Sequence, residues 1–180
     1  MMKKERGLNL TELFRPIRIG NMELKNRIVM PPIATSYCDE YGRVTERLKA
    51  YYEARAKGGV ALMISEMAPV TLAGRTRYHS LMIHKDEVVP GFRELADIVH
   101  RHDGKFAVQL CHAGRYGAIR ATHKLSQSCS GKGGSTLYSA RPYDVRVLFA
   151  EELADIAKMF GEAGRRAKEA GADAVEIHGA

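Results

Sequence analysis

The sequence predicts an α/β fold: the N-terminal half of a TIM (β/α)8 barrel, about four parallel strands preceded by a short β-hairpin. Three observations carry that reading. Strand and helix signals alternate as hairpin, then β-α-β-α-β-α-β, the pattern of parallel strands joined by right-handed crossovers. Polar or special residues recur where each strand run ends, in PPIAT, SEM, QLCHAGR and EIHG, and barrel enzymes build their sites at those ends. No G-x-G-x-x-G follows the first strand, as a dinucleotide-binding open sheet would require. A complete barrel takes ~250 residues, so 180 residues with four strand runs make about half of one. A truncated piece of a longer enzyme is the favoured expectation; a half-barrel pairing with a second copy is the alternative. An open parallel edge is sticky, which predicts a homo-oligomer through the exposed sheet edge.

Each element has its own signal. Residues 13–29 hold two short extended runs separated by Gly20-Asn21, a hairpin turn. RIVMPPI is an apolar run broken by Pro31-Pro32, and proline removes a ladder donor, so the strand should end near Met30. A helix begins at Thr45, sets Leu48, Tyr51, Tyr52 and Ala56 on one face, and stops at Gly58-Gly59. VALMISEM reads as a strand covered on both faces. The stretch 68–85 reads as a long loop. PGFRELADIVHRHDGK is a second helix with Pro90 in its first turn, and FAVQLCH a third buried strand. Residues 113–148, rich in Gly, Ser and basic residues, are too long for an idle connection. A third helix sets Leu153, Ile156, Ala157, Phe160, Ala163 and Ala167 on one stripe, and DAVEIHG is the fourth strand.

Composition narrows the function classes. The chain is 45% hydrophobic and 27% charged with formal net charge +7, which suits a globular domain and excludes a disordered or collagen-like chain. Lys and Arg interleave with Asp and Glu, as in ERLKAYYEARAK, so they read as solvated helix faces and not as a nucleic-acid footprint. The positive balance still favours anionic ligands. No apolar run approaches a membrane span, and the N-terminus lacks the apolar core of a signal peptide; the expected location is cytoplasmic. Cys38, Cys111 and Cys129 form no C-x-x-C, so neither a disulfide framework nor a metal site is expected.

The pieces LFRPIRIGNMELKNRIVMPPIAT, ERLKAYYEARAKGGVALMISE, QLCHAGR and AGADAVEIHGA, in this order across nearly the whole chain, resemble the N-terminal half of an Old Yellow Enzyme-type NADH:flavin oxidoreductase. The branch most resembled holds 2,4-dienoyl-CoA reductase, 2-enoate reductase and the bile-acid-inducible flavin oxidoreductases. The resemblance implies FMN at the mouth of a barrel, NAD(P)H as electron donor, and reduction of the C=C of an α,β-unsaturated carbonyl or acyl-CoA compound. It divides the chain into a tail and hairpin lid at the barrel base (1–28) and the first half of an FMN-binding barrel (29–180). Pro32, Ile33 and Ala34 match the segment that runs along the flavin. Met67 matches a position whose backbone approaches the ring. Gln109 matches the amide that pairs with the flavin's carbonyl and N–H edge. His178 matches the first member of the pair that donates hydrogen bonds to the substrate carbonyl and stabilises charge developing there.

The resemblance also sets limits. The second member of that pair, the tyrosine proton donor and the phosphate-gripping loops lie past Ala180 in relatives, as do any 4Fe-4S centre and FAD domain. The 180 residues alone are therefore expected to be inactive. Ala34 stands where relatives carry a residue able to tune the flavin.

Plainer readings stay open. Pro31-Pro32 can be a strand terminator, Gln109 a satisfied core amide, and His178 a structural histidine. Arg115 and His112 read equally as substrate or flavin contacts and as loop packing; Tyr37 could cover flavin or substrate. Glu66 and Glu176 read as salt-bridge partners, Cys111 as buried and inert, Cys38 and Cys129 as unpartnered loop thiols, and His100 and His102 as surface residues. Two other functions compete: a phosphate-binding aldolase or isomerase barrel, and a non-catalytic, self-associating half-barrel module.

Overall fold

A computed structural model describes residues 10–117, 123, 125–131 and 145–179. Strands β1 (Ile17–Ile19) and β2 (Met22–Leu24) form the antiparallel hairpin, turning at Gly20 with φ of +57°. Four parallel strands follow in spatial order: β3 (Val29–Met30), β4 (Leu62–Ile64), β6 (Lys105–Cys111) and β9 (Ala174–Ile177). Helices α1 (Glu46–Lys57), α2 (Val89–His100) and α3 (Ala150–Glu169) connect them. The strands are consecutive staves of a (β/α)8 wall.

The two faces of the wall hold two cores. On the outer face Met30, Met63, Phe106, Val108 and Leu110 pack against Leu48, Tyr52 and Ala56 of α1, Phe92, Leu95 and Val99 of α2, and Ala163 and Ala167 of α3. On the inner face Leu62, Ile64 and Ala107 meet Leu24 of the hairpin, with Ile17 and Met22 packed alongside. Since Leu62, Ala107 and Ala174 lie toward the N-terminal halves of their strands, the hairpin plugs the end opposite the strand C-termini. Asn26 ties it there, donating to the Gly59 carbonyl at 2.8 Å and accepting from the Ile28 amide at 2.9 Å. Residues 1–9 of the tail fall outside the described residues.

Local chemistry explains the helix ends. The Thr45 hydroxyl accepts from the Leu48 amide at 3.3 Å, and Gly59 follows the last turn with φ of +90°. Pro90 occupies the first turn of α2, where no amide partner is lost. The Glu152 carboxylate accepts from the Phe149 amide at 3.0 Å at the start of α3.

Three expectations need correction. The stretch 68–85 is not a plain loop: β5 (Ala68–Pro69) rejoins β6, and Leu81, Met82 and Ile83 are fully buried. Gly42 (φ +82°) makes room for this, since a Cβ there would stand 2.2 Å from Met82 Cγ. The long 113–148 segment carries a helical turn at Gly114–Tyr116 and two short parallel strands, β7 (Ser126–Ser128) and β8 (Val145–Val147); much of the rest lies outside the described residues. The predicted α3 stripe is buried only at Ala163 and Ala167. Its N-terminal half overhangs an open groove of about 570 Å³ floored by Leu72, Leu125, Leu148, Ile156 and Met159. The outer face of β9 is likewise uncovered, with Val175 46% and Ile177 57% exposed.

Candidate functional site

Strand parity and register build the inner wall. Side chains two apart share a face, so Ala107, Gln109 and Cys111 face inward from β6, as do Ala174, Glu176 and His178 from β9. Gln109 stands directly opposite Glu176. Its Nε2 donates to Glu176 Oε1 at 2.6 Å. Only the nitrogen end of an amide can face a carboxylate, so this contact fixes the orientation of Gln109. Among the described residues, Gln109 Oε1 is then buried without a hydrogen-bond partner. The His178 amide donates to the Leu110 carbonyl at 2.9 Å and carries the ladder one residue past β9. His178 thus stands on the inner face one step closer to the rim than Glu176.

The second stave is broken by a bulge that the sequence did not reveal. Leu62–Ile64 pair with Lys105–Ala107, but Ala68–Pro69 pair with Leu110–Cys111. One more residue is spent on this strand than on its partner, across Ser65–Met67. The Ser65 amide donates to the Ala107 carbonyl at 2.8 Å, and its hydroxyl replaces the missing ladder acceptor by taking the Gln109 amide at 3.0 Å. Bulges of this kind re-aim side chains beside functional sites. Met67 sits in this bulge, half-buried.

Glu66 is 1% exposed, yet among the described residues it carries no ion pair, which overturns the expected salt bridge. It accepts instead from the Thr35 amide, the Thr35 hydroxyl and the Leu81 amide. Among the described residues Glu176 likewise binds an amide and not a cation. The chain after β3 runs Pro31–Thr35 without regular structure; Pro32 and Ala34 are half-buried and Ile33 is 48% exposed.

The remaining candidates are placed differently. The Tyr37 ring packs edge-on against Tyr51 of α1 with centroids 5.8 Å apart, and the Arg47 guanidinium lies over it at 3.8 Å. Arg115 is next to Tyr116, donating to its hydroxyl at 2.8 Å. His112 is half-buried and its Nδ1 accepts from the Gly114 amide at 3.1 Å. Burial holds its pKa below the usual histidine value, with the Gln127 side chain pulling the other way. Cys111 is buried as expected, its thiol pushed up to about 12 by burial. Cys38 lies in a loop as expected but has a partner: it is buried, 3.9 Å from Glu66 Oε1, and burial with that carboxylate raises its pKa. His100 is a surface residue that bonds Asp173 at 2.7 Å.

The model of the NADH:flavin oxidoreductase / NADH oxidase family matches residues 12–180. The chain belongs to that family. It is 39% identical over 169 residues to an NADH oxidase of Thermoanaerobacter brockii, covering 93% of this chain and 26% of that one. It is 40% identical over 176 residues to an NADPH dehydrogenase of Geobacillus sp. (strain WCH70), covering 94% of this chain and 48% of that one. Among solved structures, the old yellow enzyme homologue from Zymomonas mobilis superposes with TM-score 0.82 at 30% identity, covering 93% of this chain and 48% of that one. Morphinone reductase superposes with TM-score 0.83 at 26% identity, again over 93% and 48%. The chain therefore spans between about a quarter and a half of the relatives it matches. These relatives make the four staves the first half of the family's barrel.

FMN, the cofactor expected from the resemblance, can be tested against these residues. The orphaned acceptor at Gln109 Oε1 needs an N–H, and the flavin's pyrimidine edge offers one at N3. The second hydrogen on Gln109 Nε2 remains for the adjacent flavin carbonyl. The residues present fit the ring. Glu176, expected as a salt-bridge partner, instead orients Gln109, and its place two residues before His178 puts both on one face.

Proposed function

We propose that this chain forms the flavin-binding side of an FMN-dependent, NAD(P)H-driven oxidoreductase that reduces the C=C of an α,β-unsaturated carbonyl or acyl-CoA compound. The observation that carries the proposal is the locked Gln109 amide, with its orphaned carbonyl beside His178 on one inner wall. The backbone of Pro32, Ile33 and Ala34, with Met67 at the bulge, would line the ring. Gln109 would hold the pyrimidine edge. His178 would donate a hydrogen bond to the substrate carbonyl oxygen, where negative charge develops. One preorganised donor of that kind lowers the barrier by about 3–4 kcal/mol. When bound, FMN would carry hydride from NAD(P)H to the β-carbon of the alkene, and the α-carbon would take a proton to complete the reduction.

Arg115 and Tyr37 are weaker proposals for substrate contact, since both side chains are already engaged by Tyr116 and by α1. The net charge of +7 suits an acyl-CoA. Family membership displaces the aldolase or isomerase alternative. The self-associating module keeps one observation in its favour, the uncovered Val175 and Ile177.

The test is anaerobic FMN reduction by NADH or NADPH in a protein that joins these residues to the second half of the family's barrel, followed by addition of an enone. Reoxidation of the flavin by the enone, slowed about 100-fold or more in His178→Ala, is the expected result. Flavin that stays reduced in the presence of every enone and enoyl-CoA tried would remove the reading. The 180 residues alone, walling only one side of the pocket, are expected to show no turnover.

A further inference from the structure

We infer that Glu66 is a positioning residue for the flavin-facing segment Pro32–Ala34, its carboxylate clamping the loop after β3 to the segment after β5. The inference rests on the flavin reading above. Glu66 Oε2 takes the Thr35 amide at 2.9 Å and the Thr35 hydroxyl at 2.6 Å. Glu66 Oε1 takes the Leu81 amide at 3.0 Å, with Cys38 Sγ at 3.9 Å. The two oxygens thus serve two segments, 31 and 15 residues away in sequence. Thr35 directly follows Ala34, and its hydroxyl also accepts from the Tyr37 amide at 3.2 Å. The clamp therefore acts one residue from the segment it would fix.

Chemistry makes the carboxylate specific. Donors approach both oxygens, and a glutamine has only one acceptor end; its NH2 would face an N–H on one side. Packing alone does not explain the residue. A carboxylate buried without a cation is costly, and a leucine or methionine would fill the same space beside Cys38 and Leu81. The Ser65–Met67 bulge supplies the geometry: it lets Glu66 reach Thr35 and Leu81 while Gln109, on the neighbouring stave, keeps its inward aim.

The test compares the wild-type chain with Glu66→Gln, Thr35→Val and, as a control, Leu95→Ala, a truncation within α2. Backbone amide exchange at residues 35 and 81 is measured without ligand; FMN affinity is then measured by titration. Loss of a charge-assisted bond corresponds to about tenfold or more. The expected result for Glu66→Gln is therefore exchange at residues 35 and 81 about tenfold faster than in the control, and FMN binding weakened about tenfold. Thr35→Val, which keeps its amide and loses its hydroxyl, should weaken FMN a few-fold; it carries the test if Glu66→Gln does not fold. Unchanged exchange in Glu66→Gln overturns the clamp. So does unchanged FMN affinity, or a loss in Leu95→Ala as large as in Glu66→Gln. If the 180 residues alone take up no FMN, the affinities are measured with these residues joined to the second half of the family's barrel; no uptake there overturns the flavin reading by itself, and the exchange measurement still decides the clamp.

Discussion

Replacing Asp173 should loosen the join between the last two staves by an amount that depends on the replacement. Asp173 precedes β9, and its carboxylate meets three donors: the Phe106 amide at 2.9 Å, His100 Nε2 at 2.7 Å and Lys105 Nζ at 3.1 Å. Phe106 is fully buried, so Asp173→Ala leaves its amide unsatisfied at about 1–3 kcal/mol. His100 and Lys105 are 37% and 38% exposed, so each ion pair adds about 0–1 kcal/mol. The total for Asp173→Ala is about 1–5 kcal/mol, while Asp173→Asn keeps an acceptor for Phe106 and should lose about 1 kcal/mol. Urea denaturation measures both. The sign of the pH dependence follows from the same contacts. Burial raises the Asp173 pKa, but the His100, Phe106 and Lys105 donors outweigh it, so the folded value lies below the ordinary one. The stability Asp173 contributes is present at neutral pH and is lost as pH falls from about 4 through the lowered pKa. The gap between wild type and Asp173→Ala should therefore narrow in acid. Equal losses for Ala and Asn, or a gap unchanged between neutral and acid pH, would refute this account.

Other predictions follow from the same geometry. In the native chain an aromatic disulfide reagent should modify Cys129 and leave Cys38 and Cys111, which are buried; rapid reaction of more than one thiol would contradict the packing. Ser65→Ala should lower stability by about 1–3 kcal/mol, because the Gln109 amide then has no ladder acceptor; denaturant titration checks it. Leu48→Ala, at a fully buried position between α1 and the sheet, should lower stability by about 2–5 kcal/mol in the same assay. If the uncovered face of β9 drives self-association, Ile177→Lys should shift sedimentation toward monomer; an unchanged profile would place any association elsewhere.

Periodic signals made most of the fold legible. Thr45, Pro90 and the Gly58-Gly59 stop marked helix ends that the structure repeats. Gly20-Asn21 marked the hairpin, and Pro31-Pro32 the end of β3. The rest depended on tertiary context. Nothing local separates a bulge at Ser65–Met67 from a regular strand, so the sequence shows β5 only as loop and Glu66 only as a salt-bridge partner. The α3 stripe is buried only in part; periodicity shows which residues share a face and not what covers it. Glu176 was legible in principle from its spacing to His178, but alternation alone, without the register of β6 against β9, does not show that Gln109 stands opposite it. Tyr37 and Arg115 were chosen by proximity in sequence to rim residues, and proximity does not fix side-chain direction.

The central claim is that Gln109, oriented by Glu176, reads the pyrimidine edge of a flavin at this rim. It is tested most directly by a cycle crossing FMN and N3-methyl-FMN with wild type and Gln109→Leu, with dissociation constants as the readout. The account predicts that methylation weakens binding to wild type about tenfold or more and makes little difference to Gln109→Leu. Equal methylation effects in both proteins would contradict it.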